Sequence, residues 1–123
     1  MNTTVDAVTR FEQAAASAAR VTRHLLAMAV EAGLIAPFGV SPFVGHIGPA
    51  VDLQTDPAEM DRWAERLDAT LTTRLVPSSS PYGGHCHWSA DTVIDGVLIH
   101  VGACQWLTAE DFHAALAAEA VAS

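Results

Sequence analysis

The stretch from His85 to Trp106 constrains the fold most, because its pattern is that of a β-hairpin. Two runs rich in β-branched and aromatic residues flank the dipeptide Asp95-Gly96. Asp-Gly between two such runs favours a tight two-residue turn. In the register that this turn sets, Cys86 and Cys104 fall on opposite faces of the hairpin. We therefore expect two free thiols and no disulfide bond between the strands.

Alternation along the two strands gives the hairpin two different faces. One face is apolar and is expected to pack against helices. It carries Trp88, Ala90, Thr92, Ile94, Val97, Ile99, Val101 and Ala103. The other face carries His85, His87, Ser89, Asp91, Val93, Leu98, His100, Gly102, Cys104 and Trp106.

The second face holds a candidate metal site. His87 lies directly opposite Cys104, and side chains opposed in this way are roughly 5 Å apart at Cβ. They could share a Zn²⁺ ion, with His85 joining from the end of the strand. A tetrahedral site needs one or two further ligands, for which His46 and His113 are the histidine candidates outside the hairpin.

A second polar pair on this face is expected to stay separate from the first. His100 is four residues from Cys104 along one strand, about 13 Å away, and it faces Asp91, with which it can form a hydrogen bond. Cys104 beside His87 also resembles a thiol nucleophile with its base, and Asp91–His100 resembles the orienting half of a catalytic triad. The structural alternative is that both are ordinary cross-strand polar pairs on a solvated sheet face.

The rest of the chain divides into three parts. Residues 1–33 are predicted to form one long helix from residue 5 to residue 32, ended by Gly33. Such a helix is roughly 40 Å long, so we expect it to be an oligomerisation element rather than a helix lying wholly across the sheet. Residues 34–50 form an apolar connection rich in glycine and proline, expected to be ordered and buried, with room for one short strand.

Residues 51–123 are predicted to be a compact α+β domain. A strand at Val51–Gln54 leads to a helix capped by Asp56, and another strand at Thr72–Val76 is followed by a serine- and glycine-rich loop. The hairpin and a final helix complete the chain. This order indicates a two-layer sandwich in which helices cover an antiparallel-rich sheet of about four strands.

Charge excludes some classes of partner. The 123-residue chain has a formal net charge of −8, contains no lysine, and has no basic residue after Arg74. Such a surface repels phosphate backbones and anionic lipids, so we expect neither direct nucleic-acid binding nor membrane association. The N-terminus lacks a basic region leading into an apolar one, and this pattern, with two reduced cysteines, favours a cytoplasmic protein.

Two resemblances follow from these motifs. The run from Val51 to Ala64, followed by the Trp88…Asp95-Gly96 hairpin, resembles small uncharacterised proteins of actinobacteria and their phages over residues 50 to 106. Separately, the order strand–helix–strand–strand–strand from His46 onward is similar to one module of the vicinal oxygen chelate (glyoxalase-like) family. That resemblance implies a metal ligand at His46, with Gln105 where the family usually has a carboxylate, and a second module that dimerisation would supply.

These observations predict a small acidic protein without enzymatic activity or cofactor. We expect it to act in protein interaction, regulation or structure, to be homo-oligomeric, and to be encoded by a phage or plasmid. The alternative is a zinc-binding or glyoxalase-like small-molecule-binding domain that uses the hairpin histidines.

Overall fold

A computed structural model of the chain describes residues 3–78 and 82–122, with only the backbone of Tyr82. Residues 79–81 of the predicted serine-rich loop lie outside this part. The helices are α1 (Thr3–Glu31), α2 (Met60–Leu67, preceded by a short 3₁₀ turn at Pro57–Glu59) and α3 (Ala109–Ala122). The strands are β1 (Gly39–Gly45), β2 (Gly48–Gln54), β3 (Leu71–Pro77), β4 (Tyr82–Ile94) and β5 (Val97–Thr108).

The predicted hairpin is confirmed as the pair β4–β5. Asp95 and Gly96 both have positive φ, at 52° and 76°, as a tight turn between twisted strands requires. From the turn to Trp106 the register is the predicted one. It places Cys104 opposite His87, and Cys86 opposite Gln105. The two cysteines therefore lie on opposite faces, and both are free thiols.

The hairpin lies inside a mixed sheet of five strands, ordered β1-β2-β5-β4-β3 and not closed into a barrel. Neighbouring strands are antiparallel except β2 and β5, which run parallel. Two parallel neighbours need a long connection that returns the chain to the same end of the sheet. Here the 3₁₀ turn, α2, β3 and β4 together form the connection between β2 and β5. The α+β class is as predicted, with one strand more than expected.

The additional strand arises in the segment predicted to be a buried connection, residues 34–50. It forms β1 and the first residues of β2, paired as an antiparallel hairpin at the edge of the sheet. The expectation of burial is wrong: Phe38 is 78% exposed and Ile47 is 83% exposed. Phe38 lies just before β1 and Ile47 lies in the turn between β1 and β2, so both are at the ends of the edge strand and not within the sheet.

Helix α1 is continuous over 29 residues, and Gly33 ends it with φ of +70°. Its buried residues begin only at Ala18, and Leu25 is fully enclosed in the core. The first half of the helix instead exposes Val5, Val8 and Phe11. Thus α1 has one half that builds the core and one half that extends from it.

All three helices lie on the apolar face of the sheet that was predicted from alternation. Trp63 of α2 is fully buried there with Leu25, Ile99 and Val101. Asp56 caps the 3₁₀ turn before α2 by accepting a hydrogen bond from the Ala58 amide at 2.8 Å. None of the described helices is both long enough and apolar enough to cross a lipid bilayer.

Helix α3 approaches β4 closely because two glycines leave room for it. A Cβ atom at Gly83 would lie 2.7 Å from Phe112, and one at Gly84 would lie 2.6 Å from the same side chain. The hydroxyl of Thr108 caps the helix by accepting from the Asp111 amide at 3.1 Å. The sheet face away from the three helices stays open, and the predicted site lies on it.

Candidate metal centre

The open face brings together the three side chains that were predicted to share a metal. The ligand atoms of His85, His87 and Cys104 all lie within 4.8 Å of one another. The β4–β5 register places His87 opposite Cys104, and the two-residue repeat of β4 puts His85 on the same face. The hairpin alone is therefore sufficient to assemble this group.

The histidine rings are packed rather than free to turn in solvent. The ring of His85 lies edge-on between His87, with centroids 4.3 Å apart, and Trp106, with centroids 4.6 Å apart. The Nδ1 atom of His85 is buried and has no hydrogen-bond partner. A buried polar atom without a partner costs free energy, so this nitrogen would gain from a ligand.

The surroundings of His87 favour the neutral form of its ring, which a metal ligand needs. Its removal from water lowers the pKa of the imidazole, and the neighbouring His85 and Arg74 lower that pKa further. A lowered pKa keeps the ring neutral to lower pH than in an unfolded chain, so its lone pair is available at neutral pH. Protonation in acid would remove both the lone pair and part of the stability of the fold.

Neither of the two suggested completing ligands joins this group in the described part of the chain. His46 lies in the turn between β1 and β2, before Ala50, which pairs with Leu98 of β5. Cys104 is six residues beyond Leu98, about 20 Å along the strand. His113 is exposed on α3, next to the buried Phe112. A metal held by the three hairpin ligands would therefore keep a position open to solvent.

The positions implied by the glyoxalase-like resemblance are also apart. His46 precedes β2 instead of lying in a strand, and Gln105 belongs to the face opposite Cys104, where it pairs with Cys86. Cys86 itself is partly buried on that helix-covered face. Burial raises the pKa of its thiol, as do the nearby Cys104 and Glu119, so Cys86 remains protonated and unreactive.

The second polar pair has the predicted hydrogen bond, and its histidine ring lies over Gly102. His100 Nδ1 is 2.6 Å from an Asp91 carboxylate oxygen. The opposite ring nitrogen, Nε2, stands above Gly102, only 3.0 Å from where a Cβ atom would be. Gly102 lies between His100 and Cys104 on β5, so the absence of a side chain there lets the imidazole lean towards the metal group.

A polar cavity of about 520 Å³ is lined by one histidine from each pair, His87 and His100. Its lining residues come from the three strands β3, β4 and β5: Thr72, Thr73, Arg74, His87, Ser89 and His100. Sequence reasoning missed Arg74, which pairs with His87 across β3 and β4. The loop between these strands gives no register signal, so nothing in the sequence placed Arg74 beside the site.

Comparisons with protein-family models, with curated proteins and with solved structures give no match for this chain. The functional argument therefore depends on the open sheet face itself.

Proposed function

We propose that the protein is a zinc-binding domain whose ligands are His85, His87 and Cys104. The observation that carries the proposal is the convergence of two imidazoles and one thiol within 4.8 Å on a single hairpin. Nitrogen and sulfur donors of these types are the preferred ligands of Zn²⁺. The buried, unpartnered Nδ1 of His85 supports the same conclusion.

The ligand atoms must move closer together to bind one ion. Two imidazole nitrogens bound tetrahedrally to one zinc ion are about 3.3 Å apart, given Zn–N bonds of roughly 2.0 Å. The group has to contract from the spacing of up to 4.8 Å that it has without metal. A fourth position would then remain for water or an exogenous ligand, as in catalytic zinc sites.

The charges around the three proposed ligands do not strongly oppose the binding of a cation. Arg74 repels a divalent ion near His87, but a bound Cys104 thiolate supplies a negative charge within the site. The chain as a whole is acidic, with a net charge of −8. The long-range potential of the protein therefore attracts Zn²⁺.

Calorimetric titration of untagged, chelator-treated protein tests this function. We expect one Zn²⁺ per chain, with affinity that falls in acid as His87 becomes protonated. Mg²⁺ serves as the control ion and should give no heat, because it requires oxygen ligands. Absence of saturable zinc binding at neutral pH would contradict the proposal.

Self-association is a second candidate role, favoured by the exposed half of α1. Val5, Val8 and Phe11 recur at three-residue steps, and an apolar groove of about 280 Å³ lies between Phe11 and Phe43 of β1. Across a two-fold axis, Phe11 of each copy would pack against the apolar groove of the other. The proposed occupant is a second copy of this chain.

Light scattering distinguishes a dimer of this chain from a monomer. We expect the mass of two chains, and the mass of one chain for Phe11→Glu, because a buried carboxylate in the groove opposes association. Arg10→Glu, also on an exposed turn of α1, is the matched control and should leave the dimer intact. A wild-type mass equal to one chain at micromolar concentration would overturn this role.

A further inference from the structure

We infer that the open sheet face also binds a small carboxylate with an apolar tail, whose head group is held by Arg74 and whose tail lies against Phe43 and Leu98. The side chains that would hold this ligand are not metal ligands, although His87 also lines the polar cavity. The site therefore does not require the proposed zinc ion.

The head-group end is the polar cavity next to His87. Arg74 supplies a guanidinium group, which pairs with a carboxylate through two parallel hydrogen bonds. Ser89 and Thr72 add hydroxyl groups, and none of the described lining residues is an aspartate or a glutamate. The volume of about 520 Å³ is that of an ordinary small-molecule site.

The tail end is a second cavity of about 390 Å³ on the same face. Phe43, Ala50 and Leu98 provide its apolar side chains, and β1, β2, β4 and β5 all contribute to its walls. Phe43 is 49% exposed and Leu98 is partly buried. An apolar tail that covers these side chains removes them from water, which stabilises the complex.

His100 joins the two cavities, because it lines both of them. Its contact with Asp91 fixes the ring, and Nε2 reaches over Gly102 towards the polar cavity. A ligand with one polar end and one apolar end therefore matches a polar cavity that adjoins an apolar one. Neither a wholly polar molecule nor a wholly apolar one would use both cavities.

A single negative charge suits this face better than a double one. The chain has a net charge of −8, and the carboxylates of Asp52 and Asp91 both line the second cavity. A phosphate dianion would meet about twice the repulsion of a carboxylate monoanion from the same charges. Arg74 offers one positive charge, which a carboxylate neutralises.

Octanoate binding, followed by amide chemical-shift changes in the protein, tests the inference. We expect saturable shifts in β3, β4 and β5, with octanoate binding at least about tenfold more tightly than acetate because only octanoate buries a tail. Arg74→Ala should weaken octanoate binding by about tenfold or more, the effect of losing a charge-assisted pair. Arg66→Ala, which removes an exposed arginine from α2, is the matched control and should have no effect.

The measurement is made on zinc-free protein and on protein titrated with zinc. Octanoate binding without any zinc binding would remove the proposed metal function and leave this inference intact. Equal affinity for octanoate and acetate, tighter binding of inorganic phosphate, or unchanged octanoate affinity in Arg74→Ala would each overturn it.

Discussion

Replacing His87 by alanine is expected to weaken zinc binding by at least about 100-fold. Loss of a partner that merely orients a metal ligand typically costs roughly 10- to 100-fold in affinity, and loss of a ligand should cost more. Cys104→Ser should have a similar effect, because a hydroxyl is a much poorer zinc ligand than a thiolate. Competition with a chromophoric chelator at neutral pH measures both constants.

Matched substitutions of the same residue types provide the controls. His46→Ala and His113→Ala remove exposed histidines that are outside the ligand group. Cys86→Ser changes the cysteine on the opposite sheet face. Each control should retain wild-type zinc affinity within about twofold, because substitutions far from a site change its energetics by only a few tenths of a kcal/mol. Loss of affinity in a control equal to that in His87→Ala would mean that zinc binds without using the hairpin group.

Leu25→Ala is expected to be the most destabilising single change in α1, lowering the free energy of unfolding by about 2–5 kcal/mol. Leu25 is fully buried among the residues of the core, including Val51, Leu53 and Trp63. The substitution removes apolar contacts and leaves a cavity that rigid strands cannot fill. Urea denaturation followed by circular dichroism measures the change.

Val30→Ala is the control on the same helix. Val30 is 80% exposed, and substitutions at such positions usually change stability by no more than about 0.5 kcal/mol. Equal effects of Leu25→Ala and Val30→Ala would mean that the second half of α1 does not pack on the sheet as described.

The parts of the fold that sequence predicts well are those with local causes. The Asp95-Gly96 turn fixes the hairpin register, and from that register follow both faces of β4 and β5, the separation of the cysteines, and the Asp91–His100 hydrogen bond. Gly33 likewise marks the end of α1 through its positive φ. In each case a few neighbouring residues decide the geometry.

The parts that were missed depend on contacts between distant segments. Residues 34–50 contain many apolar residues, which indicated burial, but their place at the sheet edge is set by the parallel pairing of β2 with β5. A parallel pair has no turn between its strands, so local sequence carries no signal for it. Local sequence therefore shows that residues 34–50 are apolar but not that they lie at the edge of the sheet.

The candidate site shows the same division. His85, His87 and Cys104 follow from the hairpin register, whereas Arg74 enters through the β3–β4 pairing. Strand spacing alone predicts that His100 and Cys104 are about 13 Å apart. Because Gly102 has no side chain, the His100 ring can lie across it. Side-chain direction, which strand spacing does not give, determines that His87 and His100 line one cavity.

Titration of the metal-free protein with Co²⁺, followed by its absorption spectrum, tests the central claim most directly. Cobalt reports its own coordination, since a thiolate ligand gives a near-ultraviolet charge-transfer band and tetrahedral geometry gives intense visible bands. We expect both to saturate at one ion per chain, to disappear when zinc is added, and to lose the charge-transfer band in Cys104→Ser but not in Cys86→Ser. A spectrum of octahedral cobalt without thiolate absorption would contradict the proposal that His85, His87 and Cys104 form a metal site.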